Sequence, residues 1–455
     1  MNKLKGSFAI LVSATLGTAC GANGLGTSRP GAQGQGGTSA AGGLPGPGDG
    51  GAGGVLAGAG TGGASQAAGG STAVGGSAAA GGSTAAGGAS GGNGGSTLGS
   101  GSSDSTWIDR TTGTTAGGMP WRDVASDATG IHLVAVTTVG TLNPDGNIWT
   151  SADGGATWTN RTAGTAAAAQ YWKSVASDST GTHLVAVTLF TGIRPGGEDV
   201  WTSADSGATW TKRTTVNSTA GGVVGPTVAS DATGAHLVLA DGDIWKSDDA
   251  GATWTDQTAG TPAAAQSWAD MASDSSATHL VAITVDGDIW TSADAGATWT
   301  NRTKGTQASR LDWQAVASDS TGTHLVAACA PSVAPAGGLD QGDIWVSSDS
   351  GATWTNRTQG TAASASEWAS VASDATGTHL VAACAHARAN DIWTSADSGM
   401  TWTNATAGTS ASGQEWIVVA SDAAGTHLVA ASIDPAPPSD GITSMPCCFG
   451  DIWTN

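Results

Sequence analysis

The sequence predicts an all-β fold built from seven similar units of four strands. One phrase, clearest at residues 287–300 as GDIWTSADAGATWT, recurs six times almost unchanged. A longer unit begins at Trp121, carries one Ser-Asp pair and one His per copy, and occurs seven times at spacings of 43 to 55 residues. Strand-rich repeats of this length predict a β-propeller, in which each repeat forms one four-stranded blade.

Four segments of each copy are predicted to be strands. Their consensus is Trp-x-x-Val-Ala-Ser, His-Leu-Val-Ala, Asp-Ile-Trp-Thr-Ser and Thr-Trp-Thr-Asn, all rich in β-branched and aromatic residues. The second segment is apolar on both faces, as at residues 184–187 (Leu-Val-Ala-Val), which predicts burial from both sides. Sheets packed face to face around a ring give that burial.

The two ends of the repeat region predict how the ring closes. The chain stops at residues 451–455 (Asp-Ile-Trp-Thr-Asn), a third strand with no fourth. The region begins at residues 107–111 (Trp-Ile-Asp-Arg-Thr), a fourth strand with no third. We expect the two fragments to pair into the seventh blade, so that the N-terminal strand closes the ring and leaves no open sheet edge.

A box with the pattern Ser-x-Asp-x-Gly-x-Thr-Trp joins the third and fourth strands. Its Ser and Asp side chains accept hydrogen bonds from backbone N–H groups of the turn, and its Gly supplies the positive φ that a tight turn requires. The Trp is expected to cover the hairpin as an apolar plug. We interpret the box carboxylates as structural, and they are Asp153, Asp205, Asp249, Asp294, Asp349 and Asp397.

Six boxes of this kind resemble the Asp-box, or bacterial neuraminidase repeat, family. That family includes sialidases, xyloglucanases, sortilin-type receptors and many propellers without catalytic activity. The resemblance covers residues 103–455 and implies a propeller whose boxes are structural hairpins away from the ligand site. A sialidase would also offer an arginine cluster and a Tyr–Glu nucleophile pair. That set does not map onto this chain, whose only Tyr is Tyr171, so the resemblance implies a non-catalytic member.

The first 102 residues are predicted to lie outside the propeller. Residues 1–20 resemble a bacterial lipoprotein signal, with Lys3 and Lys5 before a short apolar core and a cleavage-like site at Cys20. Two outcomes are open, lipidation of Cys20 or ordinary cleavage and secretion. Residues 21–102 are almost uncharged and rich in Gly, Ala, Ser and Thr, so we expect a disordered linker. About 80 such residues span on the order of 50 Å, enough to hold the propeller away from a membrane.

The charge balance excludes one class of partner. The chain has 36 acidic and 16 basic residues and a net charge of −20. Much of the acidity lies at repeated turn positions, namely the boxes, the Ser-Asp pairs and the Asp before Ile-Trp or Val-Trp. Binding of nucleic acid needs clustered Lys and Arg, so we expect no nucleic-acid partner.

The two faces of the ring are predicted to differ. With the first strand innermost, the Ser-Asp turns and the boxes lie together on one face, which we call the turn face. The loops between the second and third strands and the connections between blades lie on the opposite face, the loop face. Because those loops vary, we expect any ligand site there. The variable loops are residues 138–146, 189–198, 241–242, 285–287, 330–342, 385–390 and 432–450.

Candidates for catalysis are few. A glycosidase needs two carboxylates held across a cleft, and the loop face offers only scattered ones. The weak catalytic candidates are Asp312, Glu367 and Glu415; the other charged residues expected near the channel mouth are Asp123, Arg122, Lys173 and Arg310.

Two repeated side chains are interpreted as structural. The His occurs once per blade and would be spread around the ring, so we expect a hydrogen-bonded His and no metal site or cofactor. The Trp that begins the first strand is expected to pack between blades rather than to stack on sugars. The third blade replaces it with Gly225-Pro226; in the other blades it is Trp121, Trp172, Trp268, Trp313, Trp368 and Trp416.

Four cysteines are expected on the loop face. Cys329 and Cys384 end the second strands of adjacent blades, and Cys447 and Cys448 lie in the corresponding loop of the next blade. Disulfides persist in exported proteins, and three pairings are open. One contains a vicinal Cys447–Cys448 bridge, and the other two join the last loop to a neighbour. A thiolate metal site with His386 is the remaining alternative.

These observations predict an exported propeller, tethered to the cell envelope or secreted. We expect a monomer that touches a membrane only through its lipid anchor. Its expected role is a binding or scaffold module for a protein or glycan on the loop face. An exo-acting glycosidase of sialidase type is the alternative, and a structural ring without a specific ligand is a third possibility.

Overall fold

The computed structural model describes residues 106–139, 146–189, 198–216, 225–285, 287–333, 339–340, 342–385, 390–433 and 450–455. Within these ranges the chain forms seven four-stranded antiparallel sheets and one two-stranded hairpin. The prediction of an all-β propeller with seven four-stranded blades is confirmed. A search of the same ranges finds no helix long and apolar enough to cross a membrane. The predictions for Cys20, His386, Cys447, Cys448 and the linker 21–102 lie outside the described residues.

The strands follow one another blade by blade. In chain order they are β1 (Ile108–Asp109), β2 (Trp121–Ser126), β3 (Leu133–Thr137), β4 (Ile148–Ser151), β5 (Thr159–Asn160), β6 (Trp172–Ser177), β7 (Leu184–Thr188), β8 (Glu198–Ser203), β9 (Thr211–Val216), β10 (Thr227–Ser230), β11 (Leu237–Asp241), β12 (Asp243–Ser247), β13 (Thr255–Asp256), β14 (Trp268–Ser273), β15 (Leu280–Thr284), β16 (Ile289–Ser292), β17 (Thr300–Asn301), β18 (Asp312–Ser318), β19 (Leu325–Ala330), β20 (Ser332–Val333), β21 (Leu339–Asp340), β22 (Ile344–Ser347), β23 (Thr355–Asn356), β24 (Trp368–Ser373), β25 (Leu380–Cys384), β26 (Ile392–Ser395), β27 (Thr403–Asn404), β28 (Glu415–Ser421), β29 (Leu428–Ile433) and β30 (Ile452–Thr454).

Each blade is a meander of consecutive strands, and the last blade is completed by the first strand. Blades 1 to 4 are β2–β5, β6–β9, β10–β13 and β14–β17. Blade 5 is β18, β19, β22 and β23, with the β20–β21 hairpin in its loop-face loop, and blade 6 is β24–β27. Blade 7 has the order β28-β29-β30-β1, so it joins the two ends of the repeat region.

The ring closes by strand pairing, as predicted. Ile108 pairs with Thr454 and Asp109 pairs with Trp453 in antiparallel register. The Thr111 hydroxyl donates to Asp451 Oδ1 at 2.8 Å, and the Thr112 hydroxyl donates to Asp451 Oδ2 at 2.8 Å. Each of these two bonds joins residues that are about three-quarters of the chain length apart in sequence. In other blades the equivalent hydroxyl and carboxylate belong to the same repeat.

The core lies between blades rather than inside one. Seven clusters of buried apolar residues are present, and each combines side chains from two neighbouring blades. Between blades 1 and 2, for example, Val136 and Ile148 pack against Trp172 and Leu184. The second strands are buried along their whole length, as β7 is, except for the last residue of β19, which confirms the prediction made from their two apolar faces.

The inner-strand Trp residues pack between blades, as predicted. Trp172 is 1% exposed, and its ring lies 6.2 Å from that of Trp201 and 6.5 Å from that of Trp210, centroid to centroid. In blade 7 the third partner comes from the N-terminal strand, since Trp107 lies 6.0 Å from Trp416. Trp172 also belongs to the apolar cluster that blades 1 and 2 share, so it contributes a large apolar area to that interface.

The closing contact yields a test of the ring. Asp451→Ala removes the acceptor for two hydroxyls that hold the N-terminal strand, and we expect the free energy of unfolding to fall by about 2–3 kcal/mol. The segment around residues 107–111 should also become the first site of limited proteolysis.

The matched control is Asp288→Ala, since Asp288 accepts from Thr303 and Ser309 within one repeat. It should lower stability by a similar amount without exposing the N-terminal strand to protease. Equal protease sensitivity in both variants would contradict the assignment of Asp451 to ring closure.

Candidate functional site

The inner strands surround a central channel whose turn-face end forms a cavity of about 270 Å³. Ser-Asp turns from all seven blades line it, which confirms that the first strands are innermost. Six of the seven Ser hydroxyls bond their own turns, and that of Ser273 bonds the carbonyl of Ser230 in the neighbouring blade. Ser126, for example, donates to the carbonyl of Asp127 at 2.9 Å, and five other blades repeat this bond.

A closed circle of backbone hydrogen bonds runs around this cavity. The residue after each Ser-Asp pair donates its N–H to the carbonyl of the equivalent residue in the next blade, at 3.0–3.1 Å. The circle closes because Ala423 of blade 7 donates to Ala128 of blade 1. Its seven members are Ala128, Ser179, Ala232, Ser275, Ser320, Ala375 and Ala423.

The seven Asp of these turns are not available to a ligand. In six blades the carboxylate binds the repeated His, with Nδ1 to Oδ2 distances of 2.8–2.9 Å. Burial raises the pKa of the Asp127 carboxyl, but hydrogen bonds from His132, Thr129 and backbone N–H groups outweigh it, and the net pKa is lowered. The prediction of a structural, hydrogen-bonded His is confirmed for these six blades.

The seventh His departs from the pattern for a steric reason. A Cβ built on the turn glycine of one blade would overlap the His of the preceding blade, as Gly181 would overlap His132. Blade 4 carries Ala277 at this position, with φ +52°. The His that faces it, His236, binds the exposed Asp248 at 2.7 Å instead of Asp231. Asp248 stands where the other boxes have Ala or Ser, so the two substitutions form a compensating pair.

The box carboxylates are also used within their own hairpins. Ser151 donates to Asp153 Oδ1 at 2.7 Å, and the Thr157 N–H donates to the same oxygen at 2.8 Å. Burial raises the pKa of the Asp153 carboxyl, but bonds from Thr157 and Ser151 outweigh it, and the net pKa is lowered. The same bonds recur at Asp205, Asp249, Asp294, Asp349 and Asp397.

Two carboxylates inside the channel clamp neighbouring blades together. The inner strands carry a β-bulge after the Trp in six blades, which displaces the ladder by one residue. Asp123 accepts from the N–H of Val124 at 2.9 Å and from that of Val175 in the next blade at 2.8 Å. Asp270 binds Met271 and Val316 in the same way. Both carboxylates therefore satisfy N–H groups of the bulged inner strands.

These clamps lie in a charged part of the channel towards the loop face. Burial raises the pKa of Asp123 to about 6, and burial also raises the pKa of Asp270. Burial and then the charge of Arg122 lower the pKa of the Lys173 amine. Lys173 lies beside Gly225, where the other blades carry the inner-strand Trp. Sequence reasoning named Asp123, Lys173 and Arg122 only as scattered charges, although the Trp missing from blade 3 marked the place beside which Lys173 lies.

The weak catalytic candidates occupy one equivalent position in three consecutive blades. Asp312, Glu367 and Glu415 each directly precede the inner-strand Trp of blades 5, 6 and 7, and each is half-buried. The Gln314 amide donates to Asp312 Oδ1 at 2.8 Å. In the described part of the chain, no group of three or more His, Cys, Asp and Glu is placed to hold a metal ion.

The cysteines that the structure describes are both buried. Cys384 ends β25 and Cys329 is the last residue but one of β19, both at the loop-face side and at 1% exposure each. The thiol of Cys329 donates to the carbonyl of Asp343 at 3.4 Å. Burial raises the pKa of the Cys384 thiol to about 11. The disulfide pairings with Cys447 and Cys448 stay predictions, because those two residues lie outside the described ranges.

Comparison with known proteins places the fold. No protein-family model matches the chain, and no curated protein matches it. Among solved structures, it resembles the GH74 xyloglucanase from Xanthomonas campestris, at 19% identity and a TM-score of 0.53, over 72% of this chain and 52% of that one. This chain thus spans about half of the xyloglucanase.

Two structures of YCF48 match over nearly their whole length. The structure of YCF48 bound to D1 peptide matches at 13% identity and a TM-score of 0.50, over 78% of this chain and 96% of that one. YCF48 from Cyanidioschyzon merolae matches at 14% identity and a TM-score of 0.52, over 77% and 98%. At these identities the likenesses show the β-propeller fold alone.

The His236 arrangement yields a second test. Ala277→Gly relieves a left-handed alanine and leaves room for His236 to bind Asp231, so we expect about 1 kcal/mol of added stability in chemical denaturation. Asp248→Ala should then cost less in the Ala277→Gly background than in the parent chain, because His236 no longer depends on Asp248.

Ala250→Gly is the matched control, since Ala250 also has a positive φ of 53° but lies in a box. It should stabilise without changing the cost of Asp248→Ala. If Asp248→Ala loses the same amount of its stability cost in the Ala250→Gly background as in the Ala277→Gly background, the steric explanation is wrong.

Proposed function

We propose that this propeller is a binding or scaffold module that takes a protein or glycan ligand at the loop-face end of its channel. The observation that carries the proposal is which polar side chains are already hydrogen-bonded within the fold. The repeated carboxylates and the His residues of the turn face bind groups of their own repeat, so they hold the fold together. Near the loop face, by contrast, the charges of Arg122, Asp123 and Asp270 act on Lys173, which lies beside Gly225.

The charged cluster around Lys173 has the chemistry of a recognition site. Lys173 lies against Gly225 with a lowered pKa of its amine, and its charge interacts with those of Arg122, Asp123 and Asp270. A charged side chain that is partly buried can fix the orientation of a polar ligand. Both oxygens of Asp123 and of Asp270 accept hydrogen bonds from backbone N–H groups. We therefore assign these two carboxylates a role in holding the inner strands in place and not a role in proton transfer.

The size of the neighbours also supports a binding role. YCF48, which matches over nearly its whole length, has been solved with a peptide bound, so a propeller of this size is sufficient for ligand binding. The xyloglucanase is about twice as long as the matched region. We further propose an Asp-box propeller, exported and tethered through residues 21–102, with lipidation at Cys20.

A glycosidase of sialidase type is the second candidate. It is favoured by one observation, the placement of Asp312, Glu367 and Glu415 at the same position of three adjacent blades. Two carboxylates across a cleft are the minimal equipment for glycoside hydrolysis. A panel of fluorogenic glycosides tests this candidate. Turnover that is lost in Glu367→Gln or Glu415→Gln would establish it and displace the binding proposal.

The binding proposal is tested with the full chain on a glycan array and in pull-downs from cell envelopes. For a ligand found in this way, Lys173→Gln should weaken binding at least tenfold, because a partly buried charge that meets its partner contributes about 1.5–3 kcal/mol.

The matched control is Lys246→Gln, which removes a cation that is paired with Asp248 at 2.9 Å near the turn face. It should leave the affinity unchanged. A ligand whose affinity falls with Lys246→Gln and not with Lys173→Gln would place the site on the wrong face and overturn the proposal.

A further inference from the structure

The turn face is irregular at blade 7. In blades 1 to 6 a box hairpin joins the third strand to the fourth, whereas blade 7 takes these two strands from opposite ends of the repeat region. Asn455, after the third strand, stands at the position of the box Ser. Thr106 and Trp107 stand at the positions of the box Thr and Trp. The five box positions between Ser and Thr have no counterpart in the described part of blade 7.

Trp107 takes the place of a box Trp. Its ring lies 6.0 Å from that of Trp416 at an interplanar angle of 45°, and in blade 4 the box Trp299 lies 6.0 Å from Trp268 at 42°. Trp107 is nevertheless only 3% exposed, whereas the six box Trp residues are all half-buried. Something beyond the repeat pattern therefore covers this ring in blade 7.

The absent box leaves a backbone acceptor at blade 7. In blades 1 to 6 the box residue four places before the Trp donates its N–H to the carbonyl of the residue before the repeated His, at 2.9–3.0 Å. Ser398 of blade 6, for example, donates to Thr378. The equivalent carbonyl of blade 7 is that of Thr426, and it has no donor within the described residues. The bond that fixes each box to its Ser-Asp turn is therefore on offer in blade 7.

The imidazole beside this carbonyl has lost part of its cover. The His427 side chain is 63% exposed, whereas the equivalent His side chains of the other blades are 40–47% exposed. Its bond to Asp422 keeps the usual length of 2.8 Å, so the imidazole itself is not displaced. Every Ser-Asp turn and every box lies within the described ranges. We call the place bounded by Trp107, Thr426, His427 and Asn455 the blade-7 notch.

The residues that lead into Thr106 fit the notch in length and in sequence. Residues 101–105 supply the five absent box positions. Ser103 falls four places before Trp107, and three boxes also carry Ser there, each with a positive φ of 55–56°. Because the chain is already held at Thr106, ordering the five residues beside it closes no long loop.

Two positions of this segment depart from the box. Ser102 stands where the boxes carry Asp, and Asp104 stands where they carry Gly. In five boxes a Cβ on that Gly would overlap a side chain of the preceding blade, as Gly351 would overlap Thr291. An Asp at this position also has to adopt a positive φ, which L-residues rarely do. The segment is therefore expected to form an imperfect box, held less firmly than the other six.

We propose that residues 101–105 dock in the blade-7 notch as a seventh, incomplete box, with the Ser103 N–H donating to the Thr426 carbonyl. The last two residues of the predicted linker then belong to the propeller, and the linker leaves from the turn face. If the ligand binds as proposed above, the linker therefore departs from the face opposite the ligand. That consequence rests on the proposed function, whereas the docking does not.

The first experiment is amide hydrogen exchange of the full chain, resolved between residues 80–97 and residues 101–106. Relative to intrinsic rates, residues 101–106 should exchange at least about tenfold more slowly than residues 80–97, because only the former are hydrogen-bonded to the propeller. The difference should be unchanged when the protein is diluted tenfold, because the segment and the notch belong to one chain.

The second experiment completes the box pattern. The paired change Ser102→Asp and Asp104→Gly gives residues 100–107 the full Ser-x-Asp-x-Gly-x-Thr-Trp pattern without altering the net charge. It should slow exchange of residues 101–106 by at least a further factor of about five, because the new carboxylate accepts turn N–H groups and Gly adopts the positive φ freely.

The matched control is Ser65→Asp with Asp49→Gly, the same two changes farther up the linker. It should leave the exchange of residues 101–106 as it is in the parent chain.

The proposal is wrong if residues 101–106 exchange as fast as residues 80–97 and the completed box does not slow them. It is also overturned by protection that disappears on dilution, since the notch would then hold the segment of a second copy. Equal slowing by the control pair would show that the effect does not arise in the notch, and this too would contradict the docking.

Discussion

A closed circle of seven backbone hydrogen bonds at the turn face is the constraint on which the rest of this structure depends. The circle forms only if every Ser-Asp turn has the same shape, and that shape is held by the Asp carboxylate, which binds the N–H groups of its own turn. The His of one blade packs over the turn glycine of the next, so each blade also sets its neighbour's position. Repeats on this face must therefore stay nearly identical, and the sequence shows that they do.

The circle also explains where the chain tolerates change. Ala277 disturbs one contact of the circle, and Asp248 accommodates the displaced His236 (the backbone bonds themselves are kept). In the described part of the loop face no such circle of backbone bonds joins the blades, and larger departures from the repeat occur there. Gly225 of blade 3, for example, stands where the other blades carry the inner-strand Trp. A rigid face that carries the fold and an opposite face free to vary is an arrangement suited to binding.

The sequence was sufficient for the fold because the fold is a sum of repeated local rules. Two strand fragments at the ends predicted ring closure, and the apolar second strands predicted burial between blades. It was not sufficient for the site. The hydrogen bond from Val175 to Asp123 joins residues 52 positions apart, and it depends on how two blades stack. The double use of Asp123 depends on a β-bulge that no residue pattern announced.

The most direct measurement of this account is site-resolved amide hydrogen exchange at the seven circle residues, from Ala128 to Ala423, at pH 6. If the circle carries the fold, all seven amides fall in the slowest class and exchange at one common rate that tracks global unfolding. If one or two of them exchange much faster than the others, the ring opens locally on its turn face, and the claim that this face is the rigid scaffold is wrong.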